Sequence, residues 1–168
     1  MVAQKLCPYS VYTSKLARKG IELRGGKDIN VLKSHTVQEI MDPQFETVPA
    51  SSNLQDLFHR IEKSKESYFI VVDRKGHLSG ILSFQDIRSL LSEHTLDYLV
   101  IAQDVVARDT VTLQTSDDLD KAYALFSRGD FALIPVLDAP TGTKVVGVVR
   151  RESLIDYYNR RLIERLRQ

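Results

Sequence analysis

The chain has 168 residues, with 23 Lys or Arg against 22 Asp or Glu, so its formal net charge at pH 7 is +1. This balance argues against a protein that binds nucleic acid through a large excess of positive charge. No apolar run approaches the roughly 20 residues that are needed to cross a bilayer, and no signal peptide is recognised. A single cysteine, Cys7, cannot form an internal disulfide. These features predict a soluble globular chain in a reducing compartment, without a nucleic-acid partner.

The first 35 residues differ from the rest of the chain. A short helix is predicted over Ser10–Lys19, but Gly20, Gly25 and Gly26 interrupt the chain directly after it. Residues 1–35 carry a net charge of +5, residues 36–149 a net charge of −7 and residues 150–168 a net charge of +3. We therefore interpret residues 1–35 as a basic tether or linker ahead of an acidic body.

From residue 36 onward the sequence contains two copies of one unit, offset by about 65 residues. Each copy has a short leading helix and a brief strand, followed by an amphipathic helix with apolar residues at i, i+3, i+4 and i+7. The leading helices are predicted at Val37–Met41 and Gln103–Val106, and the brief strands near Thr47 and Thr112. The apolar helix faces comprise Leu54, Leu57, Phe58 and Ile61 in the first copy, and Leu119, Ala122, Tyr123 and Phe126 in the second.

Polar residues that favour helix starts precede both amphipathic helices. In the first copy, Ser52 and Gln55 match the S-x-x-Q capping box, which predicts Ser52 as the residue that caps this helix. In the second copy, the acidic pair Asp117 and Asp118 stands at the helix start, where capping and the helix dipole account for it.

Each amphipathic helix is followed by a predicted hairpin and a final helix. The first strands, Phe69–Asp73 and Ile134–Asp138, are apolar runs too short for helices, and the returning strands are Ser79–Ser83 and Val146–Arg150. Two α/β units of this kind would bury their exposed sheet faces against one another. The sequence thus predicts a mixed α/β (α+β) fold with two small sheets and flanking helices.

The segment Gly80–Ile87 reads G-I-L-S-F-Q-D-I and ends the first hairpin. Three further features accompany this segment: the tandem repeat, the strand ends V-V-D and V-L-D, and the S-x-x-D at the junction of strand and helix. Together they make roughly residues 36–162 resemble the cystathionine-β-synthase (CBS) domain pair. The resemblance implies two CBS repeats packed sheet to sheet with pseudo-two-fold symmetry. Repeat 1 is then residues 36–94, and repeat 2 is residues 95–168 with the C-terminal helix.

Residues 11–28 resemble the linker that follows the last membrane helix in chloride channels and transporters of the ClC type. This implies that the chain is the cytoplasmic regulatory part of a longer membrane protein and modulates chloride transport at the inner face of the cell membrane. Its partners would be its own membrane transport domain and a second copy in a homodimer. The basic tether agrees with such a position, because Lys and Arg are enriched there. The alternatives are a ligand-free structural or dimerisation module of the same channel, or a CBS pair that regulates another transporter or an enzyme.

The CBS resemblance also implies a ligand, since adenine nucleotides commonly occupy the clefts of such pairs. A carboxylate in the first helical turn accepts ribose hydroxyls, and the helix N-terminus faces phosphate. ATP, ADP or AMP is therefore a possible ligand, with no cofactor required. The candidate nucleotide-binding residues are Ser83, Asp86, Thr110, Phe131, Ile134 and Pro135.

The equivalent junction of the second repeat has Arg150 and Ser153 and so lacks the ribose carboxylate, which favours one nucleotide site rather than two. Arg150 and Arg151 would still attract an anion there. Ser83 and Asp86 also have a purely structural interpretation, because both residue types favour helix starts.

No catalytic or metal site is predicted. The four histidines are scattered without metal-ligand spacing, and no nucleophile elbow, phosphate-binding loop or dinucleotide fingerprint occurs. We therefore do not expect an enzyme.

Overall fold

A computed structural model describes residues 31–91, 100–106, 109–138 and 142–167 of the chain. The predicted helix at Ser10–Lys19 and the segment 11–28 lie outside the described residues. Within them, a 3₁₀ helix at Val37–Glu39 precedes six strands and five helices. The strands are β1 (Thr47–Pro49), β2 (Tyr68–Val72), β3 (Leu78–Ser83), β4 (Leu113–Gln114), β5 (Leu133–Leu137) and β6 (Val145–Arg150). The helices are α1 (Leu54–Lys63), α2 (Phe84–Leu91), α3 (Ala102–Val105), α4 (Leu119–Arg128) and α5 (Arg151–Leu166).

The strands form two three-stranded sheets with the same topology, β1-β2-β3 and β4-β5-β6. In each sheet the short first strand pairs in parallel with the second, with Val48 opposite Val71 and Leu113 opposite Val136. β2 and β3 form an antiparallel hairpin with an irregularity between Val71 and Val72. The predicted α/β class, with two small sheets and flanking helices, is confirmed.

The described residues divide into two compact units that do not follow the repeats. One unit, here the sheet unit, comprises the described residues within 42–114 and 133–148; the other, here the helical unit, comprises those within 31–41, 115–132 and 149–167. The sheet unit contains β1–β5, most of β6 and helices α1–α3. The helical unit contains the 3₁₀ helix, α4 and α5.

In the sheet unit, β2 is buried on both of its faces. Phe69 and Val71 pack in a cluster with residues of α1, α2 and α3, whereas Ile70, between them in sequence, packs against Leu133 and Val148 of the second sheet. This alternation follows from the two-residue period of a strand. The prediction that the two sheets bury apolar faces against each other is confirmed, and double burial explains why β2 is apolar along its whole length.

The leading segment of each repeat is bonded to the other repeat. In the helical unit, Val37 N donates to Asp117 O at 2.8 Å and Gln38 N to Thr115 O at 3.2 Å. In the sheet unit, Ala102 N donates to Ser52 O at 2.8 Å and Gln103 N to the carbonyl of Ala50 at 3.0 Å. The two repeats therefore exchange their leading segments.

Two details of the helical elements differ from the sequence expectations. The cap of α1 is Asn53, whose side chain accepts from Asp56 N at 2.9 Å, so the predicted capping box with Ser52 is wrong by one residue. An Asn amide oxygen caps a helix at least as well as a Ser hydroxyl. In addition, Val31 and Leu32, which belong to the predicted tether, are buried in the described structure.

Candidate functional site

Ser83 and Asp86 are joined by reciprocal hydrogen bonds where β3 ends and α2 begins. Ser83 donates to Asp86 Oδ2 from its backbone N at 2.9 Å and from its Oγ at 2.6 Å. Asp86 N donates back to Ser83 Oγ at 3.1 Å. These bonds satisfy N–H groups of the first helical turn, which explains why S-x-x-D stands at this junction.

The cap does not prevent the Asp86 carboxylate from binding a ligand. A carboxylate has about four acceptor positions, which is more than the two bonds from Ser83 require. Asp86 is exposed, and it lies in the first turn of an eight-residue helix, where an anionic group is favoured by the dipole. The junction can therefore serve both as a cap and as a site for a ribose.

Three of the other candidate residues lie elsewhere in the sheet unit. Thr110 lines a cavity of about 300 Å³ beside the hairpin turns, together with His77, Leu78 and Thr143. Ile134 and Pro135 are buried within β5. Within the candidate set, direct hydrogen bonds therefore join Ser83 and Asp86. Ile134 and Pro135 are adjacent residues of one strand.

Phe131 belongs to the helical unit and is half-buried. Its ring covers Gly129, where an added Cβ would clash with it. Its carbonyl oxygen accepts from Arg151 Nε at 2.8 Å, and Gly129 O accepts from Arg151 Nη2 at 2.9 Å. The guanidinium carbon also lies 5.6 Å from the centroid of the Phe126 ring.

These contacts correct the expectation that Arg151 attracts an anion. Its side chain is 10% exposed, and its donors are directed to backbone carbonyls. Arg151 is a structural residue of the helical unit.

A polar cluster in the helical unit was missed by sequence reasoning. Glu39 Oε1 accepts from Thr36 N at 2.9 Å, and Oε2 lies 2.8 Å from His35 Nδ1 and 3.2 Å from the Tyr157 hydroxyl. The Thr36 N–H bond and then the His35 contact lower the pKa of Glu39. Arg161 donates to the Tyr157 hydroxyl from Nη2 at 3.2 Å. The T-x-x-E pattern of Thr36 and Glu39 was the available signal for this helix start.

Comparison with family models identifies the repeats. The model of the CBS domain matches residues 37–93 and again residues 102–160, which together are more than half of the chain. The chain belongs to the CBS domain family. Its two matched regions form a CBS pair.

Curated relatives of this CBS pair belong to several kinds of protein. L-aspartate semialdehyde sulfurtransferase of Methanosarcina acetivorans is 25% identical over 125 residues, which are 74% of this chain and 24% of the relative. The magnesium transporter MgtE of Thermus thermophilus is 23% identical over 122 residues, 70% of this chain and 25% of the relative. The CBS pair thus spans about a quarter of the length of these relatives.

Solved structures have the same fold. A CBS domain-containing protein from Bacillus anthracis matches with a TM-score of 0.69 and 19% identity, covering 78% of this chain and 97% of that one. The cytosolic domain of the Mg²⁺ channel MgtE in complex with ATP matches with a TM-score of 0.63 and 20% identity, covering 78% and 52%. CBSX2 in complex with AMP matches with a TM-score of 0.62 and 22% identity, covering 80% and 99%.

Two further observations apply to the part of the CBS pair that the structure describes. It contains no cluster of three or more His, Cys, Asp or Glu side chains that could hold a metal ion. None of its helices combines the length and the apolar character that a membrane span requires.

Proposed function

We propose that this CBS pair is a regulatory module of a membrane transport protein of the ClC type, and that it binds an adenine nucleotide through Ser83 and Asp86. The observation that carries the nucleotide proposal is the exposed Ser83–Asp86 junction at the start of α2, in a chain of the CBS family. The Asp86 carboxylate would accept ribose hydroxyls, and the N-terminus of α2 would face phosphate. ATP, ADP and AMP are the candidate ligands.

Two comparisons support a role in transport regulation, and two support nucleotide binding. One relative is a magnesium transporter, one similar structure is the cytosolic domain of a Mg²⁺ channel with ATP, and another holds AMP. The choice of a ClC-type host rests on the resemblance of residues 11–28 to the linker after the last membrane helix of such proteins. In this proposal the module lies at the cytoplasmic face, dimerises with its copy in the paired subunit, and acts without catalysis of its own. The choice of host is tested by reading the gene upstream of the codons for this chain, because a ClC-type protein requires an apolar membrane helix before the tether.

The nucleotide proposal is tested by thermal unfolding with ATP, ADP and AMP. A ligand at 100 times its dissociation constant adds about 2.7 kcal/mol to the free energy of unfolding, which raises the melting temperature by roughly 5–11 °C for a chain of this size. Asp86→Ala should abolish the shift and cost about 1 kcal/mol of basal stability through loss of the cap.

Asp118→Ala is the matched control, because this carboxylate also accepts a helix N–H, from Lys121 at 2.8 Å. It should lower basal stability by a similar amount and keep the nucleotide shift. A shift that persists in Asp86→Ala contradicts the site.

A ligand-free structural module is the second candidate. It is favoured by the reciprocal bonds of Ser83 and Asp86, which account for both residues without a ligand. If none of the three nucleotides raises the melting temperature at millimolar concentration, the ligand-free module is the correct interpretation. Since a ligand moves an equilibrium only through its different affinities for two states, binding alone would not establish regulation.

A further inference from the structure

A second cavity in the sheet unit lies away from the Ser83–Asp86 junction. It has a volume of about 630 Å³ and opens where β1 and β2 end, at Pro49 and Val72. Ser83 and Asp86 instead follow the C-terminal end of β3, which runs antiparallel to β2. The volume is within the range of small-molecule sites, about 300–1,000 Å³.

The walls of this cavity are of two kinds. Pro49, Ala50, Val72 and Ile101 supply apolar surface, and Ser51 and Gln103 add a hydroxyl and an amide. The backbone around it is fixed, because Ala50 N donates to Val72 O at 2.8 Å and the carbonyl of Ala50 accepts from Gln103 N. An apolar surface with a few polar groups is the usual composition of a site for a small organic molecule.

Two guanidinium groups border the cavity, Arg60 from α1 and Arg74 from the turn after β2. Arg60 makes a long hydrogen bond from Nη1 to the carbonyl oxygen of Thr47 at 3.4 Å, which orients the group while most of its five donors are left for other partners. Guanidinium groups bind phosphate through paired, charge-assisted hydrogen bonds.

One carboxylate also lines the cavity, that of Asp73, and it is held by its own turn. Asp73 Oδ1 accepts from Lys75 N at 2.7 Å and from His77 N at 2.9 Å, and Oδ2 lies 3.1 Å from His77 Nδ1. The backbone N–H of His77 is the main cause of the lowered pKa of Asp73. The carboxylate therefore stays ionised and is held by its own turn, so the cavity carries two positive side chains against one negative one.

This positive site stands out against its surroundings. The sheet unit, residues 42–114 and 133–148, has 8 Lys or Arg against 12 Asp or Glu, a net charge of −4. Two arginines bordering one cavity in so acidic a unit are consistent with a local anion site rather than with a generally basic surface.

We propose that this cavity binds a small organic phosphate monoester. Arg60 and Arg74 hold the phosphate, and the apolar surface formed by Pro49, Val72 and Ile101 contacts the organic group. This site is separate from the nucleotide site at Asp86, and the proposal does not rest on nucleotide binding there.

Phenyl phosphate is the probe, because it combines one phosphate with a flat apolar group. Titration calorimetry on the full chain should detect its binding, with affinity falling as salt is raised. Inorganic phosphate, which lacks the apolar group, should bind at least several-fold more weakly, and phenol should not bind measurably. Equal affinity for phenyl phosphate and inorganic phosphate would overturn the role of the apolar surface.

The double variant Arg60→Gln and Arg74→Gln should weaken phenyl phosphate binding by at least about tenfold, since each charge-assisted bond contributes strongly to affinity. The double variant Lys63→Gln and Lys75→Gln is the matched control: it removes the same charge from the same helix and turn, and it should change affinity less than twofold. If both double variants lose affinity equally, binding depends on general positive charge and the proposed site is wrong. The site is also wrong if the unaltered chain does not bind phenyl phosphate at millimolar concentration.

Discussion

The guanidinium of Arg151 is held inside the helical unit mainly by backbone carbonyls. Its two bonds go to Phe131 O and Gly129 O, and the carboxylate of Asp130 is 3.9 Å away and 92% exposed. A surface ion pair of that kind contributes little to stability, whereas hydrogen bonds from a charged donor to part-buried carbonyls contribute more. The loop between α4 and β5 therefore depends on one side chain of α5.

Arg151→Met tests this role. The change keeps an unbranched apolar stem but leaves the two carbonyls without their donors, so we expect a loss of about 3 kcal/mol in the free energy of unfolding and a fall of roughly 6–12 °C in melting temperature. Arg160→Met is the control, because Arg160 is exposed on the same helix and bonds only weakly to its own helix backbone. A melting temperature of Arg151→Met equal to that of the control would show that the carbonyl bonds do not stabilise the loop.

Individual residues were only partly predictable from sequence. The structural role of Ser83 and Asp86 at a helix start was visible, because the S-x-x-D pattern is local in sequence. The role of Arg151 was not, because its partners Gly129 and Phe131 precede it by about 20 residues and are bound through backbone atoms, which carry no sequence pattern. Whether Thr110, Phe131, Ile134 and Pro135 line a nucleotide site stays a prediction.

The contact between α3 and β3 depends on a position without a side chain. An added Cβ at Gly80 would lie 2.6 Å from Val106 Cβ, closer than side-chain atoms approach one another. Val106 follows α3, the leading helix of the second repeat, and packs in the cluster that covers the first sheet. Glycine at residue 80 thus allows the exchanged segment to lie against its sheet.

Gly80→Ala should lower the free energy of unfolding by about 1–3 kcal/mol, as overpacking of a buried contact does. The clash involves the Cβ of Val106 itself, so that no rotamer change relieves it and the backbone has to move. Ser79→Ala, one residue earlier in β3, is the control and should stay within about 0.5 kcal/mol of the unaltered chain. Denaturant unfolding measures both, and equal midpoints would contradict the steric role of Gly80.

Elements were predicted better than their ends. Apolar spacing located α1, α4 and both hairpins, since burial on one face or on both faces imposes a clear period. The ends of β2 and β5 moved by one residue, and the cap of α1 moved from Ser52 to Asn53. Ends are decided by single hydrogen bonds, for which neighbouring polar residues compete on nearly equal terms.

At the scale of the whole molecule, the repeat visible in the sequence is not the unit of packing. Each repeat supplies a sheet to the sheet unit, where Ile70 of the first repeat packs against Leu133 and Val148 of the second. The leading segments are exchanged as well, through Val37 with Asp117 and Ala102 with Ser52. The repeat itself was predictable from sequence, but the exchange was not, because backbone bonds between distant segments leave no periodic signal.

A single repeat should therefore not fold alone. Fragments 1–94 and 95–168, expressed separately, would each expose the apolar sheet face that the other covers, and a repeat of about 60 residues has little further core to offset that loss. We expect neither fragment to show cooperative thermal unfolding by circular dichroism or dispersed amide resonances, and we expect an equimolar mixture to recover both.

The control is the intact chain cleaved after folding at an engineered protease site between residues 94 and 95, which should keep its cooperative transition. If the isolated first fragment unfolds cooperatively, one repeat can fold without the exchanged segment and without the second sheet. If neither fragment unfolds cooperatively alone and the mixture does, the pair is the smallest folding unit.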